Sequence, residues 1–78
     1  MNVTIDCSLI HTREDLHRVF AEALSFPEQY GKNLDALHDC LAEMDEMEVE
    51  IENVADMLAA LGRYGELLIQ VLEDVKNR

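Results

Sequence analysis

The sequence predicts a two-layer α/β domain: a small parallel β-sheet with about four helices packed on one face. Three observations carry that reading. Two six-residue runs, 2–7 and 47–52, alternate apolar and polar side chains, the period of a strand with one buried face. Four other stretches space their apolar residues by three and four, the period of core-facing helices. The chain has 78 residues, so residues 1–78 form a single domain. A chain of that size buries only about 60–65% of the surface it exposes when unfolded. Strands separated by helices pair in parallel through crossovers.

In the first run Val3, Ile5 and Cys7 alternate with Asn2, Thr4 and Asp6. Thr12 then offers a capping hydroxyl, with Asp15 three residues on as a variant of the capping box. Leu16, Val19, Phe20, Ala23 and Leu24 make the inward stripe of the first helix. Ser25-Phe26-Pro27 ends it, because the residue before proline disfavours the α region. Residues 25–32 form a loop, and Asn33 caps the second helix. That helix turns inward Leu34, Leu37, Cys40 or Leu41, and Met44. Its other side carries Asp35, His38, Asp39, Ala42, Glu43 and Glu46. In Met47–Glu52 the apolar residues Met47, Val49 and Ile51 face the core and three glutamates face water. Asn53 is placed to cap a short third helix with Val54, Met57, Leu58 and Leu61 inward. Gly62 suits its C-terminal end. The last helix, about Arg63 to Lys76, buries Leu67, Leu68, Val71, Leu72 and Val75. Thr4, Asp6, Glu48 and Glu50 leave the outer face of the sheet wet.

Charge narrows the function. Seventeen Asp and Glu oppose six Lys and Arg, for a net charge of −11. Such a field repels nucleic acid and anionic membranes, which bind through Lys and Arg. It attracts basic partners, and it also keeps a small protein soluble. The longest apolar runs, such as Met57–Leu61, are too short to span a bilayer. The N-terminus has neither the basic nor the apolar region of a signal peptide, so a cytoplasmic chain is expected. Cys7 and Cys40 form no CxxC and read as reduced, unlinked core residues. His11, His17 and His38 lack ligand spacing, so no metal and no cofactor is expected.

Asp35, Asp39 and Glu43 are spaced i, i+4, i+8, a single acidic row down the exposed side of the second helix. Like charges at that spacing destabilise a helix. Asp35 gains from the positive end of the helix dipole, but Asp39 and Glu43 lie beyond the first turn. The row is either the solvated face of an acidic protein or a docking stripe for a basic cleft. Gly31, just before it, lets another backbone come close, unless it only serves a turn. Tyr30 offers an amphipathic contact surface or packs under its loop.

The run Tyr30-Gly31-Lys32-Asn33-Leu34-Asp35-Ala36-Leu37-His38-Asp39-Cys40-Leu41, with Pro27-Glu28 before it and Leu16-His17 in the first helix, resembles the barstar family. These are intracellular inhibitors of barnase-type ribonucleases. The resemblance runs over nearly the whole chain, and it implies a mechanism. The helix and its preceding loop would plug the active site of a small basic secreted ribonuclease, in a 1:1 complex. By position, Asp35 and Asp39 would meet the cations that otherwise hold RNA phosphates, with Asp39 as anchor. Gly31 and Asn33 would give loop contacts. Asp74, on the last helix, falls near a further acidic contact. His38 and Met44 stand where the family has aromatic contacts, and Gln29 replaces a tyrosine; with Tyr30, Ala42 and Glu43 they complete the expected partner-binding set. The family also has a third strand after the last helix, beside Met47–Glu52.

A binding module with a different basic partner remains the alternative. An enzyme is the weaker third option. Asp35 and Asp39 could act as acid and base, yet they sit on an exposed face with no nucleophile, phosphate loop or metal set beside them. No direct nucleic-acid or membrane binding is expected. The free chain should be a monomer, since Glu48, Glu50 and Glu52 would crowd an identical strand at the open sheet edge.

Overall fold

The computed structural model describes residues 2–44 and 48–76. Strands β1 (Asn2–Asp6) and β2 (Glu48–Glu52) pair in parallel, with Val3 opposite Val49 and Ile5 opposite Ile51. A 3-10 turn, Cys7–Leu9, leads from β1 towards the helices. Helices α1 (Arg13–Leu24) and α2 (Leu34–Ala42) lie between the strands, and α3 (Val54–Leu61) and α4 (Arg63–Lys76) follow β2. The register turns Val3, Ile5, Val49 and Ile51 towards the core, and α1 packs on β1. Asn2, Thr4, Glu48, Glu50 and Glu52 are exposed, which gives the wet sheet face. Helix α4 packs on both α2 and α3. Leu16, Phe20, Leu37, Met57 and Leu68 close the core between the layers. No helix among the described residues is long and apolar enough to cross a membrane.

The caps explain where the helices begin and end. Thr12 Oγ1 accepts the Asp15 N–H at 3.0 Å. The Asp15 carboxylate reaches back to the His11 N–H at 3.0 Å, one residue farther than a capping box would take it. Helix α1 ends at Ser25, which takes the left-handed conformation with φ 56°. The N–H groups of Ser25 and Phe26 both return to the Ala21 carbonyl. The stop is thus made two residues before Pro27, by a left-handed cap. Gly62 closes α3 with φ 57° and donates to the Leu58 carbonyl at 2.8 Å.

Four expectations need correction. First, β1 ends at Asp6, and Cys7 opens the 3-10 turn. The Asp6 carboxylate accepts both the backbone N–H and the hydroxyl of Ser8, which draws the chain out of the strand. Second, Asn53 stands at the start of α3 but does not cap it. It is left-handed, φ 58°, and its amide donates to Asp6 at 2.8 Å instead. Asp6 therefore ties together the C-terminal ends of both strands, and these three donated hydrogen bonds hold its carboxyl below the ordinary range. Third, Leu67 stays off the core and Ile69 packs there. Gly65 abuts α3, where a Cβ would come within 3.1 Å of Leu58, and this contact sets the rotation of α4. Beside it Leu68 is fully buried, with Val71, Leu72 and Val75 half-buried against the core. Fourth, α2 ends at Ala42, so Met44 follows the helix and packs on the core from outside it. Glu46 and Met47 lie outside the described residues. Both cysteines are free: Cys7 is buried and Cys40 half-buried, and desolvation raises both thiol pKa values.

Candidate functional site

Asn33 sets the phase of α2. Its backbone is extended and its side-chain oxygen accepts the Ala36 N–H at 2.7 Å. With that start fixed, about 100° per residue carries Leu37 and Leu41 to the core and Asp35 and Asp39 to the opposite side. Asp35, Asp39 and Glu43 are all exposed. Glu43 is the residue that closes the helix, its N–H donating to the Asp39 carbonyl at 3.2 Å. Its carboxylate therefore stands at the negative end of the helix dipole, and the last turn holds no basic residue. The ion pairs among the described residues join Asp15 to Arg18 and to His11, and neither touches the row. By charge alone, Asp39 and Glu43 repel each other at i, i+4 and oppose the helix dipole. Their charge is felt inward as well. Burial, then Glu43, then Asp39 push up the Cys40 thiol.

The loop ahead of α2 is anchored from below. Tyr30 is buried, and its hydroxyl lies 2.6 Å from His17 Nδ1. The other ring nitrogen of His17 lies 2.8 Å from the Tyr64 hydroxyl at the start of α4. Phe26 packs on Tyr30 with ring centroids 4.9 Å apart, and the Arg13 guanidinium covers the Tyr64 ring at 4.3 Å. One imidazole thus links α1, the loop and α4. Burial lowers the pKa of His17 and raises that of Tyr30, so both are neutral near pH 7. Tyr30 packs under its loop and is not a free contact surface.

Gly31 serves close approach and not a left-handed turn. The residue with positive φ is its neighbour Lys32, at 56°. A Cβ on Gly31 would stand 3.2 Å from Ala36 Cβ, so glycine lets the loop lie against the first turn of α2. Gln29, Gly31 and Asn33 are exposed and lead into the acidic row. His38 and Ala42 are half-buried. Asp74 is exposed on a separate element, α4. A cleft between α1 and the start of α2 is lined by Arg13, Arg18 and Lys32 and by Glu14, Glu22 and Asp35. Its charges balance, so the acidic surface stops at Asp35.

The sequence reading placed the acidic row and its cap and missed what holds the loop. A signal for His17 was available. It sits three residues before Phe20 and seven before Leu24, on the buried stripe, and both are buried with it. Chemically, the exposed set accepts hydrogen bonds and repels anions, and it carries no activated nucleophile. No grouping of three His, Cys, Asp or Glu able to hold a metal ion occurs among the described residues.

The comparisons with known proteins agree with this geometry. Residues 1–78 match the family model described as Barstar (barnase inhibitor). The chain is also 30% identical over 77 residues to a Bacillus subtilis (strain 168) protein named "Putative ribonuclease inhibitor YrdF". That alignment covers 96% of this chain and 85% of the relative. Members of the matched family are inhibitors, not enzymes. With an Asn-capped helix turning its uncompensated carboxylates outward behind a glycine-bearing loop, the chain belongs to the barstar family.

Proposed function

We propose that the protein inhibits a small, basic, secreted ribonuclease of barnase type, in a 1:1 complex. Helix α2 and the loop before it enter the cleft that holds RNA. Asp35 and Asp39 take the places of substrate phosphates on Arg and Lys side chains, because a carboxylate offers the same two-oxygen geometry that a guanidinium prefers. Gln29, Gly31, Asn33, His38, Ala42 and Glu43 flank that contact. Met44 and Tyr30 support it from the core side, and Asp74 widens the acidic surface. The reading rests on one observation above all: Asp35 and Asp39 on α2 and Glu43 at its C-terminal cap are exposed and make no ion pair among the described residues.

The test pairs binding with stability. Barnase-type ribonucleases are titrated with the protein, and inhibition and affinity are read together. Asp39→Ala should weaken the complex about a hundredfold or more, the scale of truncating one member of a buried charge pair. The melting temperature should hardly move, since the residue is exposed and sits in a repulsive row. Intact inhibition alongside a large fall in melting temperature would make Asp39 a structural residue and sink the proposal.

A second reading has one observation in its favour. All four aromatic side chains, Phe20, Phe26, Tyr30 and Tyr64, lie in the core or against it, and none belongs to α2. Aromatic residues are typical anchors of tight interfaces. A contact face without them suits a different basic partner held mostly by charge. Co-purification with a non-nuclease, and no inhibition of any barnase-type enzyme, would select this reading.

A further inference from the structure

Lys32 is not among the contacts proposed above, yet it holds a costly backbone conformation. Among the described residues three that are not glycine have positive φ: Ser25 at 56°, Lys32 at 56° and Asn53 at 58°. Two of them serve the fold. Ser25 closes α1, its N–H donating to the Ala21 carbonyl, and Asn53 donates its side-chain amide to Asp6. The Lys32 side chain makes no hydrogen bond and no ion pair among the described residues. A residue with a Cβ is strained in the left-handed region, and such strain collects at functional sites. Lys32 is exposed between Gly31 and Asn33, and it lines the cleft between α1 and the start of α2. The other cations of that cleft are engaged: Arg18 pairs with Asp15 at 2.8 Å, and Arg13 covers the Tyr64 ring at 4.3 Å. Lys32 is thus the cleft's uncommitted cation among the described residues, at the border where the acidic surface stops.

We infer that Lys32 is a specificity-determining contact, and that the partner carries an Asp or Glu carboxylate on the rim of its cationic cleft to meet it. This contact rests on the ribonuclease reading and narrows it to enzymes with an acidic group at that point of the rim. Helix α2 begins two residues after Lys32, and the positive end of its dipole favours an anion nearby. The carboxylate meets Lys32 from the solvent side of the loop. Deeper in the cleft Glu14, Glu22 and Asp35 would repel it. One face then reads both signs: Asp35 and Asp39 call for cations, and Lys32 calls for an anion beside them. An enzyme whose cleft and rim are uniformly basic would satisfy the acidic row but set a like charge against Lys32. Like charges brought together across an interface suppress wrong partners.

The probe is the barnase-type ribonuclease that the wild-type protein inhibits most tightly, with affinity, dissociation rate and melting temperature measured for each variant. Lys32→Glu should weaken the complex by about tenfold or more and hardly move the melting temperature. A lysine that only sat in the long-range field would act the other way. The change adds two negative charges to a net −11 and strengthens the attraction to a basic enzyme. Lys32→Arg should keep the affinity. Lys32→Gly, free of the left-handed strain, should hold or raise the melting temperature and still weaken the complex. Each Asp and Glu bordering the enzyme's cleft is then reversed to Lys in turn. One reversal should weaken binding of the wild-type protein and restore that of Lys32→Glu. If Lys32→Glu binds as tightly as wild type or tighter while Asp39→Ala binds weakly, the Lys32 contact is overturned and the ribonuclease reading stands. If Asp39→Ala keeps full inhibition, or the wild-type protein inhibits no such enzyme, both go together. A melting temperature that falls in both Lys32→Glu and Lys32→Gly would make Lys32 structural and overturn the contact, as would the lack of any restoring reversal on the enzyme.

Discussion

Position 17 holds the buried polar side chain among the described residues. His17 is 4% exposed, and both ring nitrogens already have phenolic partners. A neutral imidazole donates from one nitrogen and accepts at the other, and a tyrosine hydroxyl can play either part. Protonation would bring a full charge into the core, so burial lowers the pKa below that of an exposed histidine. The sign of the linkage follows. A folded-state pKa below the unfolded value of about 6.5 gives stability that is whole above that pH. It is lost as pH falls through the folded value. We expect the urea midpoint to drop between pH 7 and pH 5, before the carboxylates titrate. The hydrogen-bonded Asp6 and Asp15 have lowered pKa values, so their contribution disappears only in more acidic solution. In His17→Gln the drop between pH 7 and pH 5 should flatten. An unchanged slope in that variant would assign the acid sensitivity to another group. Because Tyr30 hangs from the same imidazole, the residue that sets this pH window also holds the loop ahead of α2.

Helix α2 shows the same residues serving the fold badly and a partner well. Its cap and inward stripe are ordinary: Asn33 starts it, and Leu37 and Leu41 bury it. Its last turn is not, since it closes on Glu43 and contains Asp39 with no cation to offset the dipole. Glu43→Lys should therefore stabilise the protein by about 0.3–1 kcal/mol, through the dipole and through relief of the repulsion with Asp39. The same change should weaken inhibition of the ribonuclease. Thermal denaturation and an inhibition assay on one sample check both halves; a variant that gains stability and keeps full inhibition would remove Glu43 from the contact surface. The helix was legible in the sequence because period, cap and charge row are local patterns. The strands were legible for the same reason, in Val3–Ile5 and Val49–Ile51. What did not show were long-range effects. Asn53 left its capping role for Asp6, a partner 47 positions earlier. Leu67 lost its place to Ile69 because Gly65 meets α3. His17 became the link under the loop through Tyr64, also 47 positions away. Each depends on a contact that no window of neighbouring residues contains.

For the molecule as a whole, the charge is spread so that one sign dominates without a matching internal network. Seventeen acidic residues face six basic ones, and three of those six line the charge-balanced cleft beside α1. The sheet's outer face adds Glu48, Glu50 and Glu52, and α2 adds its own row, so acidic groups occupy two separate sides. Surplus charge of this kind costs a small fold some self-repulsion and returns little through surface pairs. Its physical benefit lies in encounter. A partner with a cationic cleft is drawn in over a range set by the Debye length, about 10 Å at 0.1 M salt and 3 Å at 1 M. Association with a basic ribonuclease should therefore be fast at low salt and slow by about tenfold or more as salt rises, while dissociation changes much less. Stopped-flow mixing at several ionic strengths measures both rates. The two acidic sides make the prediction sharper. Removing charge from the wet sheet face, with Glu48→Gln and Glu52→Gln together, should lower the association rate modestly and leave dissociation alone, because that face contributes only to the distant field. Asp39→Ala should raise dissociation strongly, because it loses a contact. A salt-independent association rate, or a sheet-face variant that dissociates as fast as Asp39→Ala, would show that the net charge serves solubility alone and that the contact surface lies elsewhere.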